Sequence, residues 1–97
     1  MPYPVSISEA AEADVREAFL WYEEQKAGLG DVFRLHFTEA IVRIGSAPLE
    51  IQVRYGSTRI HFLQKFPYGI HFVMRNDSVL IVAVFHTSMN PERWAGR

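Results

Sequence analysis

The side chains best equipped for acid–base or phosphate chemistry fall in the second half of the chain. Three of the four histidines lie there, at His61, His71 and His86, with Arg59 beside the first. A pair of histidines on one surface suits phosphodiester cleavage, one taking a proton and the other giving one. Arginine beside them holds the charge that builds on phosphorus. Two features argue against that chemistry. The only carboxylates after residue 50 are Asp77 and Glu92, so neither His71 nor His86 has an acid close in sequence to orient it. The histidines also stand ten and fifteen residues apart, which fits no compact metal-ligand motif. The alternative reading makes His71 a sheet-surface residue and His86 a strand-end residue that hydrogen-bonds locally. No metal or other cofactor is expected, and the absence of cysteine excludes disulfides and thiolate sites.

Charge is unevenly distributed. Residues 1–50 carry nine acids and four bases, and residues 51–97 carry two acids and six bases, so the halves stand at −5 and +4 around a net −1. A basic face of this kind attracts an acidic partner. Dedicated nucleic-acid binders are far more basic, so direct nucleic-acid binding by this chain alone is not expected. Ninety-seven residues, 48% of them hydrophobic, make one core and one domain, spanning 1–97. No apolar run reaches the roughly 18 residues of a membrane span, and no basic-then-apolar leader opens the chain, so a cytoplasmic protein is expected.

The elements that must position these residues follow from periodicity. Tyr3 to Ser8 alternates and reads as a short strand, with Pro4 suited to a sheet edge. Glu9 to Lys26 carries Ala11, Val15, Ala18/Phe19 and Tyr22 at helical spacing, with Glu9, Glu12 and Asp14 at its positive end. Ser6 in a capping box with Glu9, or Ser8 directly, caps it. Gly28 and Gly30 end this helix and turn the chain. A second helix runs from Leu29 or Asp31 to Ser46 with Phe33 and Phe37 on its core stripe. The short connection makes an antiparallel hairpin. Leu49 to Ser57 reads as a loop, and Thr58 to Lys65, Tyr68 to Arg75 and Val79 to His86 as strands. Asn76-Asp77 turns the last two into a hairpin, since both residues tolerate positive φ. That register sets Arg75 against Ser78, Val73 against Leu80 and His71 against Val82. It puts Tyr68, Ile70, Phe72, Met74, Val79, Ile81, Ala83 and Phe85 on the core face. His71, Arg75 and His86 then share the other face with Gly69, Val73, Leu80, Val82 and Val84, a plausible binding surface.

The strings themselves resemble a known family. Ala13 to Gln25 followed by Gly28-Leu29-Gly30 and Phe33, then Arg59, then Phe66-Pro67-Tyr68 leading into Ile70-His71-Phe72, then Val79 to His86 and Asn90-Pro91-Glu92-Arg93-Trp94, resemble the RelE/ParE toxin superfamily. The resemblance implies an α+β fold with an N-terminal strand and an antiparallel helical hairpin packed on a small, mainly antiparallel sheet. It also implies one half of a type II toxin–antitoxin (plasmid-stabilisation) pair, silenced by a cognate antitoxin. Superfamily members divide into RelE-like nucleases that cut messenger RNA on the ribosome and ParE-like inhibitors of DNA gyrase. The nucleases carry an arginine beside the tyrosine of the second long strand, a base after the last strand and a hydroxyl-bearing aromatic in the tail. Here those positions hold Gly69, Thr87-Ser88-Met89 and Trp94. Arg59 and His61 alone answer the nucleases' basic pair.

The resemblance therefore points to the ParE-like branch, a gyrase-binding toxin without a catalytic set. Its partner-binding residues are expected at Arg59, His71, Arg75, His86, Arg93 and Trp94. Many ParE-like toxins carry arginines where this chain has Ser88-Met89. The alternatives are a messenger-RNA-cleaving toxin using Arg59, His61, His71 or His86, and an attenuated homologue that only binds its antitoxin. For Trp94 two placements stay open, a plug folded onto the helices or an exposed interface anchor.

Overall fold

The computed structural model describes residues 2–94 and 96–97. After a strand β1 (Val5–Ile7), helix α1 (Glu9–Gln25) begins at Ser8, whose hydroxyl accepts the Ala11 N–H at 3.1 Å. Of the two serines, Ser8 is thus the cap. Gly28 turns the chain with φ +89°, a left-handed conformation that favours glycine, and α2 (Leu29–Ser46) follows. The start of α2 is capped from α1. The Glu23 carboxylate accepts the N–H groups of Gly30 at 2.8 Å and Gly28 at 3.2 Å, satisfying donors that a helix start leaves free. Gly30 is not a stop signal but part of the first turn of α2. A Cβ there would lie 2.7 Å from the Phe19 carbonyl oxygen, so glycine lets the two helices touch.

The sheet has five strands in the order β1-β5-β4-β3-β2. β1 runs parallel to its neighbour β5 at one edge, and every other pairing is antiparallel. One strand lies where a loop was expected. Within Leu49 to Ser57, after a short 3-10 turn at Pro48–Glu50, β2 (Val53–Tyr55) pairs with β3 (Thr58–Phe62). β3 is shorter than the alternation suggests, because the chain folds back at Leu63, whose N–H donates to the Tyr68 carbonyl at 2.9 Å. β4 (Tyr68–Arg75) and β5 (Ser78–His86) form the expected hairpin, in which Asn76 alone of the two turn residues takes a positive φ, +57°.

The hairpin register departs from simple alternation halfway along. Arg75 pairs with Ser78, Val73 with Leu80 and Phe72 with Ile81, as a two-residue turn dictates, but His71 pairs with Ala83. Val82 is therefore an extra residue, a bulge that reverses the faces of β5 beyond it. Val84 joins Phe33, Phe72, Ile44, Ile70, Ile81 and Val79 in the core under the helices. Ala83 and Phe85 go to the opposite face. The expected single core face holds for Ile70, Phe72, Val79 and Ile81 and is wrong for Ala83 and Phe85, as it is for Val84 and His86 on the other side. Nothing in an unbroken apolar run signals such a flip.

Candidate functional site

The sheet face away from the helices is built around His71, 2% exposed. The Tyr55 hydroxyl lies 2.7 Å from His71 Nδ1; with tyrosine donating, the ring proton sits on Nε2. Burial drives the His71 pKa down to about 4, with the Asp14 carboxylate opposing that shift and the Arg97 guanidinium adding to it. Burial also raises the Tyr55 phenol. Phe85, brought to this face by the bulge, packs edge-on against the imidazole at 5.1 Å between ring centres.

Trp94 closes the cluster. Asn90 accepts the Glu92 N–H at 3.0 Å and starts the short 3-10 helix Pro91–Trp94. This helix lays the indole on Tyr55 at 5.0 Å and on His71 at 4.8 Å. The plug expected on the helices is thereby corrected. The tryptophan is a plug, but on the sheet face opposite the helices, and its Nε1 is buried without a hydrogen-bond partner, which carries a desolvation cost. Arg93 beside it is exposed. A cleft of about 320 Å³ adjoins the cluster, with Phe62, His71, Phe85, Met89 and Trp94 in its wall.

The other candidates are dispersed. His86 lies on the helix side, its ring 5.2 Å from that of Tyr68. Its Nδ1 accepts the Ser88 N–H at 3.0 Å and lies 2.7 Å from the Ser88 hydroxyl, so it shapes the turn after β5, as the local-hydrogen-bond reading expected. The expected sharing of one face by His71 and His86 is wrong, and the bulge at Val82 is the reason. Arg59 Nη1 donates to the Ile51 carbonyl at 2.6 Å and lies 3.4 Å from that of Leu49. It pins the chain before β2, with its Nε buried and unpartnered. His61 faces α2, where burial and then the Arg43 charge lower its pKa. Arg75 is exposed at the hairpin tip. Among the described residues no hydrogen bond or ring contact joins any two of Arg59, His71 and His86, although His71 and His86 both border the 320 Å³ cleft.

Asp14, expected only to favour the positive end of its helix, pairs with a tail residue and holds the end of the chain. Arg97 donates from Nη1 and Nη2 to the two carboxylate oxygens of Asp14 of α1, at 2.7 and 3.0 Å, and this bond raises the Arg97 pKa. No local pattern links positions 83 residues apart. Between α1 and the end of β5 lies the larger cleft, about 490 Å³, walled by Asp14, Glu17, Trp21, Val84, His86 and Met89 among others. Among the described residues no group of three or more His, Cys, Asp or Glu could hold a metal ion, and no helix is long and apolar enough to cross a membrane.

A family model described as the ParE toxin of the type II toxin–antitoxin system parDE matches residues 5–91. Among solved structures, a chain from the chromosomal ParDE TA system of P. aeruginosa superposes with a TM-score of 0.77 at 11% identity. The match covers 88% of this chain and 96% of that one. No curated protein matches.

Proposed function

The chain belongs to the ParE toxin family of type II toxin–antitoxin systems, and from that footing we propose that residues 1–97 act in the cytoplasm as one toxin domain that binds and inhibits DNA gyrase and is silenced by a cognate antitoxin. The observation that carries the non-enzymatic reading is the dispersal of the candidate catalytic groups. His71 is buried, neutral and capped by Tyr55 and Trp94. His86 lies across the sheet, and Arg59 is spent on backbone carbonyls. General acid–base catalysis needs free groups at one reacting centre. His71 and His86 border one cleft, but the first is capped by Tyr55 and Trp94 and the second has its Nδ1 bound by Ser88.

What remains at the surface suits recognition. Arg75 and Arg93 are exposed and Trp94 is half-buried, while Phe62 is 44% exposed, residue types that anchor interfaces. We place the target-binding surface on the outer sheet face and tail, with Arg75, Arg93 and Trp94 as its contacts and His71, His86 and Arg59 as supports. The antitoxin is supported by the family and by the fold shared with a chain of a ParDE system. Induced expression is expected to arrest growth, and co-expression of the product of an adjacent reading frame to relieve it. Arg93→Ala is expected to weaken the arrest while the protein stays folded. Unimpaired growth on expression of the intact chain counts against toxicity and for a homologue that only binds its antitoxin.

A further inference from the structure

Beyond its bulge, β5 has a strand on one side only. β1 covers it as far as Ile81, whose carbonyl accepts the Ser8 N–H at 3.0 Å, and the chain then turns away into α1. Along residues 82–86 the lane beside β5 is filled by side chains. The Val84 N–H donates to Asp14 Oδ2 at 2.9 Å. Arg97, held on the same carboxylate, brings Nη1 to 3.4 Å from the Val82 carbonyl and its guanidinium to 4.9 Å from the Phe85 ring centre. An ion pair meets the backbone donor and acceptor that a sixth strand would meet. Uncovered strand edges are templates for a further strand.

This lane is five residues, about 17 Å, long and opens into the 490 Å³ cleft. The cleft's carboxylates are Asp14 and Glu17 from α1, and the group paired with Asp14 is an arginine. Guanidinium fits because its fork matches a carboxylate with two parallel bonds. The local charge is thus opposite to the excess of the C-terminal half, from which an acidic partner was expected.

We propose that the antitoxin lays an extended segment in this lane, pairs with the β5 edge at residues 82–86, and presents an arginine that replaces Arg97 on Asp14. The proposal rests on the antitoxin reading above. Arg97 is the resident of the site in the free toxin, so incoming chain competes with it. A competitor that fills the site lowers apparent affinity by the fraction of time it is seated.

The test uses the whole chain and a synthetic probe, the capped peptide acetyl-TVRVTVS-amide, with a twin carrying citrulline for arginine. Binding is followed by backbone amide shifts. The Arg97→Ala chain is expected to bind the arginine peptide about tenfold more tightly than the natural chain, with shifts centred on Val82, Val84 and His86. The citrulline twin is expected to bind Arg97→Ala about tenfold more weakly. Adding Asp14→Asn, which keeps an acceptor for the Val84 N–H, is expected to erase that preference. Equal binding of the two peptides, no binding of either to Arg97→Ala, shifts centred on β2, or dimerisation of Arg97→Ala through this edge would each overturn the proposal. If the adjacent antitoxin relieves growth arrest equally well for the natural chain and for Asp14→Asn, the toxin reading stands and this lane is not its docking site.

Discussion

The two faces of the sheet are built on different principles. The helix-covered face is dry and redundant: Phe33 stacks on Tyr22 and meets Phe66 and Tyr68 edge-on, with ring centres 5.3 to 5.5 Å apart, and Ile70, Phe72 and Ile81 are fully buried beneath. The opposite face is closed by one tail residue, Trp94, over one polar pair, Tyr55 and His71. The first face holds the fold through apolar area and many contacts. The second depends on a few hydrogen bonds and on a short tail. A surface so thinly covered can be remodelled at little cost to the rest, and the proposed target-binding surface lies there.

The largest effect is expected from truncating one residue in the core. Phe33→Ala is expected to cost about 3–5 kcal/mol in urea unfolding; a loss below about 1 kcal/mol would mean that the helix side is as adaptable as the tail side. A smaller effect marks the outer face. His71 titrates near 4 when folded and near 6.5 when unfolded. Between those values the unfolded chain takes up a proton that the folded chain refuses, so stability falls as pH falls. The His71 contribution is fully present above pH 6.5 and declines by about 2–3 kcal/mol by pH 4. His71→Gln should flatten that part of the profile. Trp94→Ala should let water reach the ring and move its NMR titration up towards 6.5. An unshifted titration would show that the tail is not what covers His71. Smaller again is the effect of Gly30→Ala. Alanine is the better helix former by about 1 kcal/mol, yet its Cβ meets the Phe19 carbonyl oxygen at 2.7 Å. A net loss of about 1–2 kcal/mol is expected in thermal melts, and a gain would show that the helices can part freely.

Most of the helix side was legible in the sequence because its signals are periodic. Phe33 and Phe37 recur at helical spacing, Ile70 and Phe72 alternate, and the family strings fixed the order of elements. The outer face was not, for three physical reasons. A bulge in an unbroken apolar strand leaves no polarity mark, so Phe85 and His86 exchanged faces unseen. β2 is three residues long and its exposed Val53 and Arg54 read as loop. The Asp14–Arg97 bond and the seat of Trp94 join opposite ends of the chain, beyond any local pattern. Arg59 was legible as a candidate but not in its role, since its carbonyl partners are backbone groups that any sequence supplies.

The proposed gyrase binding and the rival RNA cleavage make opposite predictions. The direct measurement is supercoiling of a relaxed plasmid by purified gyrase in the presence of the purified protein, run beside a ribosome-bound messenger-RNA cleavage assay. Dose-dependent loss of supercoiling that Arg93→Ala weakens is expected, with the messenger RNA intact. Full supercoiling activity together with messenger-RNA cleavage that is lost in His86→Ala would contradict it.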